Sequence, residues 1–318
     1  MHIAPLQGKN MFPVTLTVAL TTFRKDPRFD IFIESLLKSA EKWPMILWEF
    51  LCVDGMLWYD SRRKEELAER VRGRIPYTHV TPKPSVWQGP NRLTSKDCWD
   101  ACGARNTAFV YANGRQVIFV DDCMTVDEDF LAYHFEASVS NCVMAGGYCI
   151  EDTDKKNDHR LDLVKEPTPV AGGWLYGMNM SVPLMLAHHV NGYDELYSGQ
   201  AGVEDCDFGV RSERGAGKQI LFNPLCVVTE YSNTHGEVCG HARGPKTPPK
   251  SLKLRDEKMH YANEFLIQRL FDEPKRFLPL GNRFSLLEYR RLVQESKELP
   301  VPTWPARDWR DGQPLSEM

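Results

Sequence analysis

Two adjacent carboxylates, Asp121 and Asp122, follow directly on the β-type run Gln116 to Val120 (QVIFV). An acidic pair at the end of a buried strand is costly to desolvate unless a cation or hydrogen-bond donors compensate it. Hard carboxylate oxygens suit Mg2+ or Mn2+, so a divalent ion or a nucleotide is a natural partner. The pair lies too far upstream of the helical segment beginning near Asp127 to serve as its cap. A third acid, Asp54, closes the run Trp48 to Val53 in WEFLCVDG, and taken alone it reads as a turn-forming Asp-Gly.

These acids need strands to carry them. Val14 to Thr21 (VTLTVALT) is β-rich, and the apolar residues of Asp30 to Lys42 follow helical spacing. Trp48 to Val53 and the charged helix Ser61 to Arg72 repeat the unit, a βαβ rhythm that predicts a parallel sheet. Thr81 to Asn91 (TPKPSVWQGPN) reads as a surface loop. Cys98 to Ala112 reads as a helix stopped by Asn113-Gly114, delivering the chain to the acidic strand. A helix over Asp127 to Ser140, a strand over Cys142 to Ile150 and a polar loop over Glu151 to Pro167, too charged for a core, come next. Then follow a glycine-rich apolar stretch, Val170 to Val182, a short helix over Pro183 to Val190, a helix over Cys206 to Gly215, and one or two strands within Ile220 to Tyr231. In a parallel α/β sheet ligands gather at the carboxyl ends of strands, which is where Asp54, Asp121 and Asp122 stand.

The 318 residues can bury a large core, and 42% hydrophobic with 26% charged residues is the composition of a globular protein. The net charge of -4 gives no global case for nucleic acid. His241 to Glu295 nevertheless holds twelve Lys/Arg against seven Asp/Glu, a solvated helical face or a polyanion surface. Nine cysteines without a C-x-x-C pair argue against a disulfide framework or structural zinc and for a reducing compartment. With no run of eighteen apolar residues, the expected location is cytoplasmic. Gly240 to Lys250 (GHARGPKTPPK) reads as a linker, giving a main domain over 12–240 and, over 241–318, helices at Lys253 to Leu270 and Ser285 to Ser296 with a Pro/Trp-rich tail from Pro300.

Four blocks in order resemble the GT-A fold glycosyltransferases, family 2 in particular, with a galactosyltransferase-like later portion. TVALTTFRK is similar to the first strand and nucleotide loop, and FLCVDG to the second strand. ARNTAFVYANGRQVIFVDDC, Ala104 to Cys123, resembles the A-R-N helix and D-x-D strand end. Gly172 to Gly217 resembles the G-x-N-x-S segment, the G-[FY]-D-E turn and the E-D-x-D-[FL] helix start. The resemblance implies a Rossmann-like α/β fold: a mixed, mostly parallel sheet flanked by helices, with a small helical C-terminal extension.

It also implies sugar transfer from a nucleoside-diphosphate sugar, with a UDP-sugar favoured, to a glycan or small-molecule acceptor, inverting and dependent on Mn2+ or Mg2+. Thr21, Thr22 and Arg24 would line the nucleotide loop, and Asp54 would accept from base or ribose. Asp121 would face ribose or metal and Asp122 the metal. Cys123 stands where the family has its last metal-ligating Asp; a soft sulfur suits Mg2+ poorly, so it is expected to point into the sheet. His235, in EYSNTHGE, is a metal ligand or a surface-loop histidine. Arg105 and Asn106 would position diphosphate or ribose. Gly173, Trp174, Tyr176 and Asn179 would wall the sugar site, unless Trp174 is core. Glu204 and Asp205, expected in a loop before the helix at Cys206, would act on the acceptor, with Asp205 as general base or else a helix cap. Two other readings stay open: a DNA-modifying transferase acting on a hydroxymethylated base, and a non-catalytic sugar-nucleotide or glycan-binding module.

Overall fold

Residues 14–22, 27–58, 60–82, 101–150, 158–195, 204–230 and 285–295 are described by the computed structural model. β1 (Val14–Thr22) is buried along most of its length and lies between β2 (Trp48–Asp54) and β4 (Gly114–Asp121), parallel to both. β3 (Tyr77–Val80) extends the parallel set beyond β2. On the other side β8 (Asn179–Pro183) runs antiparallel to β4 and to β6 (Val143–Ile150). β9 (Ile220–Glu230) is parallel to β6, while β5 (Met124–Val126) and β7 (Thr168–Val170) pair antiparallel with β9. The nine strands make one mixed sheet in which β1, β2, β3, β4, β6 and β9 share a direction.

The alternation of side chains along a strand puts one core on each face. Val117 and Phe119 of β4 join Ala19, Leu51 and Val53 against α3 (Ala101–Tyr111), α6 (Leu184–His189) and α7 (Glu204–Val210). Ile118 and Val120 join Val18, Leu20, Phe50 and Cys52 against α1 (Phe29–Lys42), α2 (Arg63–Val71) and α4 (Phe130–Ser140). Leu286 and Tyr289 of the last described helix, whose range is Leu286–Gln294, belong to the first of these cores, so this part of the segment beyond residue 240 packs on the main sheet. Its Arg290 donates to the carbonyl of Val110 at 3.1 Å.

The parallel sheet and the helices of the βαβ rhythm match the expectation. The differences are local. β3, β5, β7, β8 and the short helix α5 (Arg160–Leu163) were not expected, and the loop over Glu151 to Pro167 is not all surface: Asp158 and Arg160 are 1% and 2% exposed. Arg160 bonds both oxygens of Asp158 and the carbonyls of Gly146 and Trp174, so its charge is compensated inside the protein. α4 starts at Phe130 rather than Asp127 because the Asp127 carboxylate accepts the Asp129 N–H at 2.9 Å and holds the chain in a turn. α7 starts at Glu204, not Cys206, since acids stabilise a helix's first turn. Arg24, His235, the loop beyond Lys83, the linker, the helix over Lys253 to Leu270 and the Pro/Trp-rich tail lie outside the described residues.

α7 meets the turn Gly172–Trp174 backbone to backbone. A Cβ on Gly209 would lie 2.1 Å from the Gly172 carbonyl oxygen, whereas one on Gly173 would meet nothing within 4 Å. Gly209→Ala should therefore lose about 1–3 kcal/mol through forced separation of the two segments, and Gly173→Ala should stay within about 0.5 kcal/mol of the parent. Equilibrium urea unfolding checks both, through a lowered midpoint at constant slope for the first variant alone.

Candidate functional site

β1 leads to β2 on one side, while β4 adds to its other side, so the strand order reverses between β1 and β4 and opens a crevice at their carboxyl ends. The register sets Thr22 beside Asp54 and Thr21 beside Asp121. Thr22 Oγ1 donates to Asp122 Oδ2 at 2.6 Å, fixing one oxygen of that carboxylate. Asp122 is buried and Asp121 half-buried. Cys123 turns into the core, where its thiol lies 3.8 Å from Glu230 Oε1. The Met124–Glu230 pairing of β5 with β9 thus brings the end of β9 beside the acidic turn.

The pair fits a divalent cation. Both acids offer hard oxygens, one already oriented by a hydroxyl, and the soft sulfur is withdrawn. Mg2+-type sites take one or two protein carboxylates and complete their shell from phosphates and water.

On the α3 side of the sheet, Arg105 enters the same crevice. Its Nη1 donates to Asp205 Oδ1 at 2.7 Å and Glu204 Oε1 at 3.1 Å, and its guanidinium lies 5.3 Å from the centre of the Tyr193 ring. Gly177 N–H donates to the other Asp205 oxygen at 2.8 Å. A Cβ there would come within 1.9 Å of Arg105 Nη2, so a larger residue would displace the guanidinium from its bond to Asp205. Burial works against the charge on Arg105, but Asp205, Tyr193, Glu204 and Asp121 together hold its pKa above the ordinary arginine value. Asp205 on α7 bonds this guanidinium, and Asp121 at the end of β4 adds a smaller electrostatic pull on it. Burial and then Asp205 push the Glu204 carboxyl up to about 7, against the pull of Arg105. Below that group Tyr193 stacks on Phe208 with ring centres 4.7 Å apart, and Phe109 stacks on both.

Other expected residues are occupied elsewhere. Asp54 is fully buried on the α2 side, where its Oδ2 accepts from Arg63 Nε at 2.7 Å and lies 3.2 Å from His79 Nε2. Cys52, Asp54 and His79 bring ligand-type atoms within 4.8 Å of one another, but the Arg63 guanidinium already supplies the positive charge. Asn106 is fully buried and spans the Gly-Tyr-Asp-Glu turn, donating to the Tyr193 carbonyl and Glu195 and accepting the Tyr193 N–H. Asn179, 1% exposed, donates to the carbonyls of Gly147 and Cys226 inside the sheet. Both asparagines bond backbone groups that hold the fold here. Trp174 is half-buried, edge-on to Phe222, and Gly173 beside it is exposed. Arg160, which sequence reasoning missed, lies between the rings of Tyr176 and Phe222 at 3.9 and 4.8 Å and ties this wall to the sheet. Its Asp-His-Arg setting carries no periodic signal.

No family model matches the chain, and no curated protein sequence matches it. Solved structures do. The 1–349 fragment of S. aureus TarS in complex with UDP-GlcNAc aligns with a TM-score of 0.53 at 13% identity, over 80% of this chain and 72% of that one. The chain has the GT-A fold. GalNAc-T7 with UDP, GalNAc and Mn2+ aligns with a TM-score of 0.50 at 13% identity, over 89% of this chain and 55% of that chain. The GT-A architecture accounts for the parallel half of the sheet and for β8 crossing antiparallel beside β4. Among the described residues no helix is long and apolar enough to cross a membrane, and the seven described cysteines are free.

Asp54 offers a direct check on structural use of a site-like acid. Asp54→Ala removes the carboxylate that the buried Arg63 bonds, and should cost about 3–5 kcal/mol in equilibrium unfolding. A loss under about 1 kcal/mol would show that this ion pair does not hold β2 to α2.

Proposed function

We propose that the chain is an inverting glycosyltransferase that moves a sugar from a nucleoside-diphosphate donor, a UDP-sugar, to an acceptor hydroxyl with Mn2+ or Mg2+. The observations that carry this reading are Asp121, at the end of β4 next to the Thr22-held Asp122, and Asp205, held at the start of α7 by Arg105 and the Gly177 N–H. One acid belongs to a pair suited to a cation and a diphosphate. The other is a carboxylate suited to an acceptor's proton. UDP-GlcNAc in the TarS structure and UDP with Mn2+ in the GalNAc-T7 structure support the same choice of donor and ion.

Asp121 and Asp122 would hold the cation, with His235 assigned as a further ligand, and Thr21, Thr22 and Arg24 would contact the donor's nucleotide side. The ion, when bound, supplies charge stabilisation to the leaving diphosphate. Asp205 is the general base. It accepts one donor at each oxygen, and each oxygen keeps lone-pair capacity for the acceptor hydroxyl. The acceptor oxygen bonds to the anomeric carbon as the bond to the diphosphate breaks, and the hydroxyl proton passes to Asp205. Gly173 and half-buried Trp174 line the sugar's wall, an aromatic face against C–H groups. Arg105 fixes Asp205, and Gly177 admits both groups at hydrogen-bond distance. Residues 12–240 form the catalytic unit, with 241–318 as its extension. The free thiols support a reducing, cytoplasmic setting.

A panel of UDP- and GDP-sugars, with and without Mn2+, tests the reading by donor hydrolysis and thermal shift. A donor with Mn2+ should raise the melting temperature. Asp205→Asn should lower kcat about 10²–10⁴-fold while that thermal shift remains, and Asp122→Ala should remove the Mn2+-dependent part of it. Turnover unchanged by Asp205→Asn would overturn the assignment of the base.

A further inference from the structure

Two carboxylates share a single arginine nitrogen in the crevice. Arg105 Nη1 is 2.7 Å from Asp205 Oδ1 and 3.1 Å from Glu204 Oε1, so one positive charge faces two acids that are both almost excluded from water. The two acids are not equally provided for. Asp205 accepts from Arg105 at one oxygen and from the Gly177 N–H at the other. Glu204 has the longer Arg105 bond and a weak contact with its own backbone N–H, and its Oε2 is buried with no hydrogen-bond partner among the described residues. An ionised oxygen without a donor in such a place is far more costly than a neutral carboxylic acid.

We propose that Glu204 is held as the neutral acid, so that the pair carries a single negative charge on Asp205, matched to Arg105. Glu204 is then a positioning residue that holds a proton, acting through Asp205 and through the charge of the crevice. The groups that face it agree. Tyr193 packs beneath the arginine with its phenol kept neutral by burial, and the thiol of Cys206, pushed up to about 11 by burial and the two acids, brings no charge. Asp121 acts on Arg105 from β4, so a second charge at Glu204 would compete for the same cation. The Glu204 value of about 7 accords with a neutral acid in mildly acidic solution. This inference rests on the transferase reading for its consequence in catalysis, since a negative Glu204 would repel a diphosphate donor, but its charge state does not.

The sign of the pH effect follows from proton counting. Free glutamate loses its proton near 4.5 and Glu204 near 7, so between these values the folded chain holds one proton more than the unfolded chain. This contribution to stability is full below 4.5, declines as pH rises through the window, and is lost above about 7.

Glu204→Gln, which mimics the neutral acid, decides the matter in the full chain. In wild type, kcat/KM for the donor should fall toward about tenfold per pH unit above pH 7, chiefly through KM, for a single ionisation. Glu204→Gln should lose this alkaline limb, so that its kcat/KM no longer falls above pH 7. The melting temperature of wild type should decline relative to that of Glu204→Gln as pH rises from about 4.5 to 7. Infrared spectroscopy of wild type should show the carbonyl stretch of a neutral carboxylic acid that titrates near pH 7 and is missing in the variant.

An alkaline limb retained by Glu204→Gln, or parallel melting curves for the two proteins, would overturn the proposal. The melting and infrared readouts stand even where no sugar donor is turned over, so failure of the transferase reading is distinguishable from failure of this one. Should Glu204→Gln not fold, the wild-type infrared titration alone decides, and absence of a neutral acid band below pH 7 overturns it.

Discussion

Arg105 is the charge on which the crevice depends. It is buried, so its guanidinium has exchanged water for fixed partners, and those partners come from elements far apart in the chain. Asp205 and Glu204 lie on α7, Tyr193 lies in the turn after α6, and Asp121 ends β4. A helix and a turn are thus positioned against one cation, and the strand end adds to the field around it. Removing the cation would leave the Asp205 charge with the Gly177 N–H alone in a place almost closed to water, so the site and the local fold are one electrostatic problem.

The same solution recurs around the sheet. Arg63 is fixed by Asp54, Arg160 by Asp158 and Arg211 by Asp207, each nearly or fully excluded from solvent. Arg160 and Arg211 also bond backbone carbonyls, Arg160 those of Gly146 and Trp174, Arg211 those of Val190 and Gly192. Buried ion pairs of this kind contribute little net stability compared with apolar packing, but they penalise any rearrangement that separates the partners. In a fold whose ligand end is made of loops and short helices, that penalty is a means of holding irregular backbone in one arrangement.

This explains what could be read in the sequence. β1, β2, β4 and α1 follow from apolar periodicity because each makes its own case within a few residues. The acids after QVIFV are legible for the same reason: burial of the strand makes the exit point predictable. β3 and β5 are short and gain their pairing energy from partners distant in sequence, Phe50 to Val53 for one and Val228 to Glu230 for the other. Arg160 and Asp158 look like surface charge until the Gly146 carbonyl and the Tyr176 ring are placed beside them. Asn106 and Asn179 fit a ligand-binding pattern by type, but the turn at Tyr193 and the bulge of β6 at Gly146/Gly147, opposite β9, use their amides first.

The sheet's parity accounts for the acidic triplet itself. Asp121 shares a face with Val117 and Phe119, the face covered by α3, and so comes under the influence of Arg105. Asp122 leaves the strand at a turn and meets Thr22 instead. Cys123 then re-enters the opposite core beside Val120 and Met124 before β5 begins. With the chain committed to that return, an acid at position 123 would have to be desolvated among apolar side chains, whereas a cysteine packs there as a small hydrophobe. The departure from an Asp-x-Asp pattern is therefore tied to the way β5 docks on β9, and the acidic pair is left as two successive residues at the end of β4, the second held by Thr22.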